Sequence, residues 1–125
     1  MHTKKLVYLP IELLWSYREF KRDEVPAPRV PFMNMYDVDE VTEHVRIHGL
    51  EPLELSVIGE KALLTDGNHR IAAAKALGYH EVPVYVMVYI GEAKQTFYSH
   101  TLDRFKPVTK DLQNSLKRIF LNQNA

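Results

Sequence analysis

The chain has 125 residues, 46% of them hydrophobic, enough for one domain with a buried core and too little for a second independent one. Its 16 lysines and arginines offset 16 aspartates and glutamates, so no overall field draws it to nucleic acid or to a membrane surface. Cysteine is absent, which excludes disulfides, thiolate metal sites and cysteine nucleophiles.

Residues 6–10, Leu6-Val7-Tyr8-Leu9-Pro10, read as a short first strand that the proline ends. Residues 11–15 read as a turn of helix or an apolar lid. Residues 22–31 carry Pro26, Pro28 and Pro31 among polar neighbours, the pattern of an extended loop, either a solvated linker or a flap over a pocket. Asp37 is placed to cap a helix whose first turn holds Asp39 and Glu40. Val38, Val41 and Val45 share one face of that helix, and Gly49 stops it.

Residues 53–58 and 61–65 read as strands joined by a Gly59-Glu60 hairpin turn. A second helix follows Gly67, carries Ile71, Ala74 and Leu77, and ends at Gly78; its alanines allow close approach to a sheet. Residues 82–90 form the clearest strand, with β-branched residues on one face and aromatic residues or methionine on the other, so burial of both faces is expected. Phe97, Thr101, Leu102 and Phe105 suggest another helix. Val108, Leu112, Leu116, Ile119 and Phe120 stripe a final amphipathic helix from about Pro107, and that stripe suits either the core or a second subunit, as in a homodimer. The order strand, helix, strand, strand, helix, strand and two helices is that of a small α/β or α+β layer fold in one domain. No apolar run reaches membrane-spanning length and no signal-peptide core precedes the first strand, so a cytoplasmic protein is expected.

The segment richest in chemistry is Thr65-Asp66-Gly67-Asn68-His69-Arg70-Ile71-Ala72-Ala73-Ala74. A strand that turns on one glycine into a helix points several backbone N–H groups at one spot, and the helix dipole adds partial positive charge there. That is the design of a phosphate pocket. Arg70 offers a two-pronged donor for phosphate oxygens, or an ion pair with Asp66. His69 suits a phosphate donor or general acid, or simply starts the helix. Asn68 supplies an amide donor or caps the helix, and Gly67 permits backbone approach. Asp66 orients a nucleophile or holds Mg2+ between phosphates, or serves the Asp-Gly turn alone.

Other candidates are weaker. His44 and His48 have the spacing of a metal pair on one helix, but no third ligand is evident, so solvated or interface histidines are the better reading. Trp15, Tyr85, Tyr89, Phe97 and Tyr98 either stack a base or pack the core. Arg104, Lys106, Lys110, Lys117 and Arg118 make the C-terminal region locally basic, a solvated face or a DNA contact.

The chain resembles the ParB/sulfiredoxin superfamily. Four pieces carry the resemblance in order, over about residues 5–90: Tyr8-Leu9-Pro10-Ile11-Glu12-Leu13-Leu14; the run from Asp39-Glu40-Val41 to His48-Gly49-Leu50-Glu51-Pro52-Leu53; the box around Gly67; and Leu77-Gly78-Tyr79-His80-Glu81-Val82-Pro83-Val84. The resemblance implies an α+β fold, a small mixed sheet packed against helices with extra C-terminal helices, in one domain with a core at 5–90 and a helical extension at 91–125, and it implies a nucleotide phosphate site at the box. ParB proteins carry Gly-Glu-Arg-Arg where this chain has Gly67-Asn68-His69-Arg70, so their glutamate is missing. Sulfiredoxins carry Gly-Cys-His-Arg, and Asn68 stands in the cysteine's place, which excludes sulfinic-acid reduction while His69 and Arg70 match the phosphate contacts. Free-serine kinases carry Asp-Gly-His-x-Arg, which Asp66 and Gly67 fit. Sulfiredoxin's helix contacts to nucleotide would fall near Asp37, Glu40 and His44, and those residue types differ from its Lys and Ser.

The leading expectation is a protein that binds ATP, ADP or CTP with Mg2+, as an NTP hydrolase or small phosphotransferase in which Asp66 and His69 act in catalysis. Glu12, Glu19 and Glu24 are candidates to complete such a site. The alternative is a non-catalytic regulatory or adaptor module that binds DNA, RNA or a protein partner. Nuclease activity, often attached to this superfamily, finds no carboxylate cluster or basic groove in the sequence.

Overall fold

The structure is a computed structural model that describes residues 2–18, 38–90, 97 and 99–121. Asp37, Glu19, Glu24, Tyr98 and the proline-rich residues 22–31 lie outside the described residues.

Alternating apolar residues and two glycine turns set the sheet. Strand β1 (His2–Pro10) leads into a single helical turn, α1 (Ile11–Leu14), and a 3-10 turn at Trp15–Tyr17. Helix α2 (Val38–His48) ends at Gly49, whose φ of 85° is the left-handed exit expected there. Strands β2 (Leu53–Ile58) and β3 (Lys61–Asp66) form an antiparallel hairpin on the predicted turn. Helix α3 (Asn68–Ala76) then crosses to β4 (Glu81–Tyr89), which runs parallel to β2 and antiparallel to β1. A single turn α4 (Ser99–Leu102), the two-residue strand β5 (Lys106–Pro107) and helix α5 (Lys110–Leu121) complete the chain. The sheet order is β1-β4-β2-β3-β5, a mixed sheet in an α+β architecture as expected.

One face of the sheet is the core. Leu9, Leu53, Leu55, Val57, Ala62, Leu64, Val82, Val84 and Val86 meet Ile11, Leu14, Tyr17, Ile71, Ala74 and Leu112 from the helices. Each fully buried Leu, Ile or Val contributes roughly 1.5–3 kcal/mol of transfer free energy. Helix α3 reaches the sheet closely because its inner face is Ile71, Ala73 and Ala74.

Four expectations are corrected. Strand β1 begins four residues earlier than the apolar run, because Thr3, Lys4 and Lys5 pair with Val88, Met87 and Val86 whatever their polarity. Only one face of β4 is fully buried: Val82, Val84 and Val86 are covered, whereas Pro83, Tyr85 and Met87 are half-buried on the opposite face. The helix read across 97–105 is one turn, with Phe97 and Phe105 stacked edge-on at 5.5 Å outside it. The last helix does not start at Pro107, which lies in β5 opposite Lys61. Thr109 caps it instead, its hydroxyl accepting the Leu112 N–H at 3.2 Å.

Candidate functional site

Strand β3 delivers Asp66 to the sheet's end, and the chain reverses at Gly67 with φ 99° and ψ 21°. A side chain there would strike β2: a Cβ would lie 2.7 Å from Leu53 Cγ and 3.3 Å from Leu53 Cα. Glycine at 67 lets the chain pass close to Leu53 of β2. Its carbonyl accepts the first helical bond, from the Ile71 N–H at 2.9 Å. A helix leaves its first N–H groups without an intrahelical acceptor, and at α3 those of His69 and Arg70 precede that bond.

Gly67, rather than Asn68, holds the cap position, and no side chain caps α3. The Asn68 amide turns back and donates to the Leu64 carbonyl at 3.0 Å, stitching helix to strand. A short side chain one residue inside the helix cannot reach forward to its own N2 and N3 amides, which is why the capping alternative fails. The positive end of the α3 dipole is left to the backbone donors.

Arg70 takes the ion-pair alternative. Nη2 lies 2.9 Å from Asp66 Oδ2 and Nη1 donates to the Pro52 carbonyl at 2.9 Å, with Glu51 Oε2 at 3.8 Å. The guanidinium thus clamps α3 to the segment between α2 and β2. Its side chain is 21% exposed while that of Asp66 is 67% exposed, so the pair is anchored on the arginine side and wet on the carboxylate side. Such a pair holds by under about 1 kcal/mol. His69 is half-buried on the same helical turn. No group of three or more His, Asp or Glu side chains is placed to hold a metal among the described residues.

A polar relay escaped the sequence reading. Thr65 Oγ1 donates to Glu54 Oε1 at 2.9 Å, which leaves Ser56 Oγ as the donor in its 2.8 Å contact with Thr65. Ser56 is fully buried. Tyr89 closes the group, and burial, then the Glu54 charge, push its hydroxyl above the ordinary tyrosine range, against its hydrogen bond with Ser56. These residues sit on one face of the adjacent strands β3, β2 and β4, with Thr65 next to Asp66; alternation at 54 and 56 was the available signal.

The remaining candidates are dispersed. The Trp15 ring is not free for a base, since the Arg18 guanidinium lies 3.5 Å and the Lys75 ammonium 4.1 Å from its centroid. His44 and His48 are exposed with ring centroids 4.6 Å apart. Glu12 is exposed on α1. Arg104, Lys106, Lys110, Lys117 and Arg118 are exposed, and Lys106 is tied to the Ser16 carbonyl at 2.6 Å.

Strand β3, Gly67 and α3 lead into β4, which runs parallel to β2. A Pnob8-like ParB-N domain aligns with 76% of this chain at TM-score 0.50 and 18% identity. The fold is ParB-like. The chain spans about a third of the length of that solved chain, 34%. No protein-family model matches the sequence, and no curated protein does. Within this ParB-like fold the box 66–70 occupies the β3–α3 junction, and no helix among the described residues is long and apolar enough to cross a membrane.

Proposed function

We propose that this protein is a ParB-like module that binds a nucleotide, ATP, ADP or CTP, through its phosphates at the β3–α3 junction. The supporting observation is an α3 N-terminus without a side-chain cap beside an arginine whose carboxylate partner is mostly exposed. Phosphate oxygens take the N–H groups at the start of α3. Arg70 exchanges the Asp66 carboxylate for a phosphate while Nη1 keeps the Pro52 carbonyl, an exchange its five donors permit. His69 adds a donor from the same turn. Asp66, once released, suits Mg2+ carried by the nucleotide, because that ion commonly uses one carboxylate plus phosphate oxygens; the ion would screen charge there.

The helix terminus contributes about 0.3–1 kcal/mol, up to ~2 when partly buried, and each charge-assisted hydrogen bond ~1.5–3 kcal/mol. A few such terms give micromolar to millimolar affinity. Binding is a better-supported reading than turnover, because Asp66 Oδ2 is already engaged by Arg70 and an acid/base role needs that contact to open first. NTP hydrolysis or phosphotransfer through Asp66 and His69 would use the same exchange.

The test is a thermal-shift and calorimetric panel of ATP, ADP, CTP and GTP with and without Mg2+. Ligand at a hundred times Kd stabilises by about 2.7 kcal/mol, a melting shift on the order of 10 °C for a domain of this size. Arg70→Lys, which keeps the charge but loses the fork, should weaken binding at least tenfold. Absence of any shift, or unchanged affinity in Arg70→Lys and Arg70→Ala, would refute the proposal. Phosphate release distinguishes an NTPase from a binding module.

A further inference from the structure

Strand β1 closes one edge of the sheet, and no strand pairs its outer side among the described residues. It is long for an edge, nine residues. Proteins usually guard such an edge with lysines that project along it. Here Lys5 is drawn inward, its Nζ donating to the Ile119 carbonyl at 3.1 Å, while Lys4, itself exposed, folds over the sheet with Nζ 4.3 Å from the Tyr85 ring centroid. Beyond Thr3 and Lys4, the exposed residues of the strand are apolar. Leu6 is 49% and Tyr8 69% exposed, on the same sheet face as Pro83 and Tyr85, their partners across β4.

We infer that β1 pairs antiparallel with β1 of a second copy of this chain, with Leu6 on the two-fold axis. The sequence of the strand is self-complementary in that register. Leu6 meets Leu6 of the other copy, and Tyr8 stands opposite the other copy's Lys4, which then lies between Tyr8 and its own Tyr85. Lys5 stands opposite Val7, Thr3 opposite Leu9, and His2 opposite Pro10, so no two like charges face each other. Pairing satisfies the outward backbone donors and acceptors of both strands and joins the two sheets into one, with the Leu6–Tyr8 strips continuous across the axis. A second copy fits better than an unrelated peptide because the complement of this strand is the strand itself. One strand pair lies at the small end of specific interfaces, below ~1,200 Å², so the dimer is concentration-dependent.

Sedimentation velocity of the full chain over a concentration series, with cysteine cross-linking, tests this. The chain has no cysteine, so an introduced thiol reports only its own position. Residues directly opposite across antiparallel strands have Cα atoms about 4.5–5.5 Å apart, inside the range of about 4.4–6.8 Å that a disulfide spans. Leu6→Cys should form a covalent dimer under mild oxidation, and Ile90→Cys, at 65% native exposure and off the edge, should not. Leu6→Lys and Tyr8→Lys each confront like charges and should raise the dimer dissociation constant at least tenfold, with circular dichroism and melting reporting the fold. A monomer at every concentration, equal cross-linking of the Leu6→Cys and Ile90→Cys variants, or a dimer indifferent to both lysine variants would overturn the inference.

Discussion

Gly67→Ala is the perturbation that probes the junction most sharply. At φ 99° an alanine carries the penalty of a left-handed conformation, roughly 1–2 kcal/mol. Its Cβ would also sit 2.7 Å from Leu53 Cγ and 3.1 Å from Leu53 Cβ, and Leu53 is fully buried at the start of β2, so neither side can yield freely. Overpacking of that kind costs about 1–3 kcal/mol. The stiffer unfolded chain returns about 0.4–1 kcal/mol. The net loss is about 1–4.5 kcal/mol, at its upper end a large part of the ~5–15 kcal/mol typical of a domain. Gly78→Ala is the matched control: φ is 83°, but the added Cβ meets open space, so only the conformational penalty of about 1 kcal/mol applies. Urea unfolding of both variants measures the difference. A double variant, Gly67→Ala with Leu53→Ala, should recover the steric part as a favourable coupling of ~1–2 kcal/mol. If Gly67→Ala is no more destabilising than Gly78→Ala, the close approach of the junction to β2 is not what demands glycine.

Other outcomes follow from the same contacts. In a double-mutant cycle, Arg70 and Asp66 should couple by less than about 1 kcal/mol, since the carboxylate is mostly in water, while Arg70→Ala alone loses a further 1–2 kcal/mol with the Pro52 carbonyl, both read by urea unfolding. Tyr17 is buried and its hydroxyl donates to the Pro107 carbonyl at 2.9 Å while accepting the Thr109 N–H at 2.8 Å, so Tyr17→Phe should cost about 1.5–3 kcal/mol and loosen α5, visible in amide exchange at its first turn. The Tyr89 hydroxyl is shifted upward by burial, so the unfolded chain loses its proton first and stability falls as pH rises beyond the ordinary tyrosine value of about 10. Tyr89→Phe should flatten that fall in a melting series at alkaline pH; an unchanged slope would show that Tyr89 does not carry it.

The elements legible in the sequence were those with local signals. Gly59-Glu60 announced the β2–β3 hairpin, alternation announced β4, and the i, i+4 spacing of Asp66 and Arg70 already contained their ion pair. Contacts between distant residues were not legible. Nothing local marks Pro52 as the acceptor for Arg70, eighteen positions away, or Tyr17 as the residue that ties down Pro107 and Thr109. Strand β5 has two residues and no propensity of its own, and it forms beside β3 with the Val108 N–H donating to the Glu60 carbonyl at 2.7 Å. At the candidate site, the box 66–70 was read as a unit and the structure keeps it as one, yet Asn68 faces backward to Leu64 because Gly67 takes the cap. The half-exposed outer face of β4 was misread because composition shows what a face contains and not whether a neighbour covers it.

Amide chemical shifts of the isotopically labelled full chain, followed during titration with Mg2+ and CTP or ATP, address the central claim most directly. Nucleotide phosphate seated at the α3 N-terminus should move the Gly67, Asn68, His69 and Arg70 amides and the Arg70 Nε–H together, in a saturable manner, while Gly49 and Gly59 stay in place. Saturable shifts confined to another surface, or none at any of these four amides with either nucleotide, would contradict the account.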